Sequence, residues 1–108
     1  MFRLRHSAFD GGIREWRSDG GASTSLSHVV VTARNGDAVT FHVDGRKTSF
    51  PLPSGQLGFE PYRFALANEI EGFESERLWR GDFHLVAVYC RALSEQEVRR
   101  NREAGPTP

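Results

Sequence analysis

Glu69, Glu71 and Glu74 are the residues of this chain whose type and spacing raise acid–base chemistry first. Retaining hydrolysis of a glycosidic bond needs two carboxyl groups about 5–5.5 Å apart, one acting as nucleophile and one as acid and base. Glu69 and Glu71 would share a strand face by the period of two, with Glu74 three residues further on. Gly72 interrupts the run, however, and Asn68 to Arg77 reads as an acidic loop. A solvated loop accounts for these carboxylates better than catalysis does, and no enzyme is expected.

Other side chains with chemical potential are scattered. His6, His28, His42 and His84 show no H-x-x-x-H spacing. His28 and His42 fall in neighbouring predicted strands, where hydrogen-bonded sheet histidines are the better reading than zinc ligands. Cys90 is the one cysteine, which rules out an internal disulfide and a cysteine-based zinc site. Following the apolar run Leu85 to Tyr89, it is expected to be a small buried hydrophobe. Arg80-Gly81-Asp82 spells the tripeptide that integrins recognise, but it begins a predicted strand between Trp79 and Phe83, so coincidence is the preferred reading. Trp16, Phe59 and Tyr62 lie near predicted loops and are the candidate ligand-binding residues, as platforms for sugar rings; Trp79 is assigned to the core. No phosphate-cradling loop, dinucleotide fingerprint or Ser-His-Asp arrangement occurs.

The 108 residues suit a single domain over 1–105 with a tail at 106–108. Hydrophobic residues make up 38% and charged residues 26%, which is ordinary globular chemistry rather than disorder. Lys plus Arg equals Asp plus Glu at 14 each, so no net charge draws the chain to nucleic acid or an anionic membrane. Arg3, Arg5, Arg14 and Arg17 lie early and Arg99, Arg100 and Arg102 late, while Glu60, Glu69, Glu71, Glu74 and Glu76 crowd the third quarter; two solvated faces explain this. No stretch has the length of a membrane span, and Met1 to His6 lacks the apolar run of a signal peptide.

The elements that would position these groups are mostly strands. Phe2 and Leu4 alternate with Arg3 and Arg5, Asp10-Gly11-Gly12 turns, and a weak strand follows over 13–18. His28 to Arg34 is β-branched, and Val39, Phe41 and Val43 alternate with Thr40 and His42. Asn35-Gly36 joins these two runs and is read as a type I′ hairpin turn; Asp44-Gly45 repeats the signal and leads into Lys47 to Phe50. Pro51, Pro53 and Gly55 then interrupt the pairing. Arg63 to Leu66 is a further short strand, and Trp79 to Tyr89 reads as a long central strand, apolar on both faces. Ser94 with Glu97 forms a capping box, Leu93 and Val98 stand at the staple positions, and Gly105-Pro106 stops the closing helix.

In this order the pieces resemble the laminin-G-like family of the concanavalin A-like superfamily. The residues that carry the resemblance are His28-Val29-Val30-Val31-Thr32, Val39-Thr40-Phe41-His42-Val43-Asp44-Gly45 and Phe64-Ala65-Leu66-Ala67-Asn68-Glu69, then Trp79 to Tyr89 and Arg91-Ala92-Leu93-Ser94-Glu95-Gln96-Glu97-Val98. In that family a strand beginning with His leads to one ending in V-D-G, and a V-A-V-Y strand precedes R-A-L-S and a short helix. The likeness spans roughly 27–105. It implies an all-β fold, an antiparallel jelly-roll β-sandwich with a short C-terminal α-helix, lacking strands that family members carry earlier. Exposed sheet edges, and hence self-association or marginal stability, are expected.

Several functional expectations follow from the resemblance alone. It implies a non-catalytic module recognising a glycan or a protein surface through rim loops, at the cell surface or outside the cell. A structural spacer in a larger exported protein is the alternative, and a glycoside hydrolase using Glu69, Glu71 and Glu74 the third. Hydrolases of this fold carry E-x-D-x-x-E, whereas the middle acid here is Glu71. No cofactor is demanded by the residues. Calcium is the ion the family accommodates, and Asp37, Asp44, Asn68, Glu69 and Asp82 supply the oxygen chemistry it prefers without fixing a ligand set.

Overall fold

A computed structural model of the chain describes residues 2–5, 15–20, 23–57, 66 and 80–107. The described elements are β1 (Phe2–Arg5), β2 (Glu15–Ser18), β3 (Val29–Ala33), β4 (Ala38–Val43), β5 (Arg46–Pro51) and α1 (Glu95–Ala104). The described secondary structure is thus mainly strand with one short helix. β1 and β2 form an antiparallel pair, and β3, β4 and β5 form a three-stranded antiparallel sheet in sequence order.

The meander forms where its sequence predicts it, because β-branched and aromatic residues alternate between two turns rich in glycine. Its central strand, β4, is buried from Val39 to Val43. The two turns differ from each other. Asp44 and Gly45 both have positive φ, 51° and 83°, and Val43 pairs directly with Arg46. That is the two-residue type I′ signature. The expected type I′ turn at Asn35-Gly36 does not form: there only Gly36 is left-handed, at φ 79°. The Arg34 amide bonds the Ala38 carbonyl at 2.9 Å, leaving a longer loop closed by Asp37 N–H to Arg34 C=O at 3.0 Å. Asn35 instead accepts the Gly55 amide on its side-chain oxygen at 3.0 Å, tying the tip to the turn after β5.

One face of the meander carries the core. Trp16, Val39, Phe41 and Leu52 form the buried cluster, with Phe2, Leu4, Ala33, Phe50 and Leu57 packed against it. Phe41 meets Phe50 edge to face at a centroid distance of 6.1 Å. Each fully buried side chain here contributes about 1.5–3 kcal/mol through removal of apolar surface from water. The β1–β2 pair reaches this cluster through Phe2, Leu4 and Trp16, so two sheets share one apolar layer.

The helix obeys its caps. Ser94 accepts the Glu97 amide at 3.2 Å, and the Glu97 carboxylate accepts the Ser94 amide at 2.8 Å, completing the capping box. Gly105, at φ 75°, ends the helix and returns its amide to Arg102. Leu93 and Val98 are buried, as their staple positions predict.

The segment before the helix corrects two expectations. Residues 80–90 form no strand and every one of them is exposed. Cys90 is likewise exposed rather than buried. Apolar character on both faces requires neighbours on both sides, and none of the described strands pairs with this segment. Of Arg63 to Leu66, only Leu66 is described, and the turn at Asp10-Gly11-Gly12 lies outside the described residues.

Candidate functional site

Two places in the described structure gather groups that could act: an exposed apolar segment and a charged seam between sheet and helix. The first is the run from Phe83 to Tyr89. Phe83, Leu85, Val86, Val88 and Tyr89 are all at least half exposed, Val88 most of all at 75%. Scattered apolar exposure is ordinary, but five such side chains within seven residues are a concentration of apolar exposure of the kind found at interaction surfaces. Arg80, Gly81 and Asp82 stand exposed just before it and outside any strand, so the tripeptide is not locked into a sheet as its sequence context suggests.

The second place lies at the Asp44–Gly45 end of the meander. His42 and Lys47 are cross-strand partners and therefore share a face, opposite the one that bears Val39 and Phe41. Glu95, in the first turn of α1, accepts from Lys47 at 3.1 Å. Arg102, in the last turn, lies so close to Gly45 that a Cβ added there would come within 2.7 Å of the guanidinium. His28 and Asp44 close the sheet beside them: the His28 amide donates to Asp44 Oδ1 at 2.8 Å, and the Asp44 amide to the His28 carbonyl at 2.9 Å. His42 is buried at 7% exposure and His28 partly buried. Burial lowers the pKa of both imidazoles; Arg102 lowers His28 further and Lys47 lowers His42, with Asp44 and Glu95 opposing in turn.

The adjacency of His28 and His42 is legible in the sequence, through the register of two strands. The seating of Lys47, Glu95 and Arg102 around them is not, because nothing local in α1 states which sheet face it covers. Among the described residues, no group of three or more His, Cys, Asp or Glu side chains is arranged to hold a metal. Asp37 and Asp44 flank β4 at opposite ends, about 23 Å apart at the rise of a strand, so they cannot share one calcium. Asn68 and Glu69 lie outside the described residues.

The candidate sugar platforms fare differently. Trp16 is 3% exposed and part of the core cluster, which corrects its assignment to a ligand-binding role: its ring is already used for packing. Phe59 and Tyr62 lie outside the described residues, as do Trp79 and the Glu69, Glu71, Glu74 group. Among the described residues no helix is long and apolar enough to cross a membrane. No protein-family model matches the chain, and no curated protein or solved structure matches it either.

Proposed function

We propose that this chain is a non-enzymatic interaction module of the laminin-G-like, concanavalin A-like kind, a jelly-roll β-sandwich that binds a protein surface outside the cell. The exposed apolar segment from Phe83 to Tyr89 is the observation that carries this reading. An exposed β-branched and aromatic run that pairs with none of the described strands offers apolar side chains to an incoming protein surface. The paired sheets around Trp16 and the capped terminal helix agree with the proposed architecture.

A second copy of the chain is the most accessible partner to test. Sedimentation velocity over a concentration series should show reversible association for the wild type, and Val88→Ser with Tyr89→Ser should abolish it. In parallel, melting curves with calcium and a panel of oligosaccharides read the glycan alternative, since a ligand of the folded state raises its stability by mass action. A strict monomer whose melting rises with one sugar would transfer the role to glycan recognition. A strict monomer indifferent to every addition would favour the spacer.

A further inference from the structure

The two edges of the meander differ. In an antiparallel ladder alternate residues turn both backbone groups to the same neighbour. The Asp44 amide meets the His28 carbonyl and the Arg34 amide meets the Ala38 carbonyl, which sets the even-numbered positions of β3 toward β4. Val29, Val31 and Ala33 therefore direct their backbone groups outward. On the other side the Leu52 amide meets the Asp37 carbonyl, which leaves Lys47, Ser49 and Pro51 as the outward positions of β5. That edge is guarded: Pro51 has no N–H to donate, and Lys47 is held by Glu95 of α1 at 3.1 Å. The outward positions of β3 carry neither charge nor proline, and among the described strands β3 pairs with β4 alone.

The core face is open at the same edge. Val31 stands directly opposite Phe41 and shares its face, yet Phe41 is fully buried and Val31 is 36% exposed. A further strand beside β3 would cover it. The run Leu85–Tyr89 suits that place: it has the five-residue length of β3, is exposed throughout and pairs with none of the described strands. Leu85, Ala87 and Tyr89 alternate with Val86 and Val88, so either face of an added strand is apolar.

We propose that the β3 edge receives Leu85–Tyr89 of a second copy of this chain, in a reciprocal exchange that adds a fourth strand to each meander. The proposal rests on the reading of Phe83–Tyr89 as an interaction surface and names what that surface meets. Area favours exchange over one-sided addition. With Leu85, Val86, Val88 and Tyr89 at 50–75% exposure, the run offers roughly 300 Å² of apolar side chain. Laid on one edge it buries about 600 Å² over both surfaces, the size of a weak contact. Exchange doubles this to about 1,200 Å², the lower end of specific, stable interfaces. A twofold interface of this kind also closes on itself, with both edges and both runs used.

Residue-resolved amide exchange over a concentration series, read beside sedimentation velocity, tests it. As the 108-residue chain associates, the Val29, Val31 and Ala33 amides should slow severalfold, while Val30 and Thr32, already turned to β4, keep their rates. Val31→Lys, which sets a charge on the open edge, should abolish association, as Val88→Ser with Tyr89→Ser does. Association that survives Val31→Lys but is lost in the run variant would overturn β3 as the receiver and leave the interaction surface standing. Association undiminished in the run variant would overturn both. A strict monomer would overturn the exchange, whether or not its outward β3 amides are protected. Should Val31→Lys not fold, the wild-type amides decide: association with selective slowing at Val29, Val31 and Ala33 supports the exchange, and association without it overturns the proposal.

Discussion

The central strand β4 and the segment from Phe83 to Tyr89 are close to equivalent as sequence and opposite as structure. Val39-Thr40-Phe41-His42-Val43 and Phe83-His84-Leu85-Val86-Ala87-Val88-Tyr89 are both rich in β-branched and aromatic residues, and each contains a histidine. β4 is hydrogen-bonded on both sides and buried from Val39 onward. The second run forms no strand and is exposed throughout. What separates them is the proximity of partners. β4 has both neighbours within a few residues, delivered by short turns that carry glycine, so the entropy of closing each loop is small. The later run has no such hairpin partner in sequence. Apolar alternation therefore states that a segment can join a sheet, and the turns beside it state whether a neighbour is at hand.

The largest expected effect tests that contrast directly. Phe41 is fully buried, and Phe41→Ala should cost about 3–5 kcal/mol, the usual cost of removing a core aromatic ring. Val88→Ser, at the most exposed of the later side chains, should stay within about 0.5 kcal/mol of the wild type, as surface changes usually do. Urea denaturation of the two variants side by side is the measurement. A comparable loss in Val88→Ser would mean that the segment is packed in solution, and the contrast with β4 would collapse.

The turns provide the next effect. Gly45 holds φ 83° in a two-residue loop and also sits against Arg102. Gly45→Ala should therefore destabilise by about 1–2 kcal/mol, because the left-handed region is costly to an L-residue. Gly36→Ala tests the same penalty, at φ 79°, in the longer loop, where the nearest atom to an added Cβ is 3.8 Å away and only the backbone cost applies. The difference between the two unfolding free energies isolates the contact with Arg102. Matching losses would show that the guanidinium moves aside without cost.

Much of this arrangement is legible in the sequence, for identifiable reasons. The meander follows from valine-rich runs joined by Asn35-Gly36 and Asp44-Gly45, and the helix from Ser94, Glu97, Leu93 and Val98. Both rest on interactions within a few residues. The misjudged features all depend on distant partners. Trp16 resembles a loop aromatic until Val39, Phe41 and Leu52 are packed on it. Cys90 takes its expected burial from a strand that does not form. Of the two meander turns, Asp44-Gly45 takes the type I′ geometry, while at Asn35-Gly36 the Asn35 side chain accepts the Gly55 amide, twenty residues later. The seam around His28 and His42 is legible by half, since sheet register is local and helix seating is not.

A smaller effect concerns how firmly α1 stands beside the exposed segment. Ser94→Ala removes the hydroxyl that accepts the Glu97 amide and should cost about 1 kcal/mol. Amide exchange in the first turn of α1 should rise, while that of β4 stays constant. Equal acceleration in both would show that helix and meander open as one unit rather than as two.

The smallest effect is an acid titration of the same helix start. Arg91 holds Glu97 through two hydrogen bonds, at 2.6 and 2.9 Å, and the Ser94 amide adds a third. These bonds to the ionised form lower the Glu97 pKa to about 2, with the Arg91 guanidinium the largest cause. For a carboxylate with a depressed folded pKa, the associated stability is present above its ordinary value and is lost as pH falls toward the folded one. The helix start should thus loosen between about pH 4.5 and about pH 2. Because the Arg91 side chain is exposed and Glu97 is partly so, salt should weaken the effect. Glu97→Gln should remove the low-pH step in helical circular dichroism and leave any step near neutral pH untouched. If both steps vanished together, the capping box and the histidine seam would be one cooperative element, and the junction between meander and exposed segment would be set by the helix as a whole.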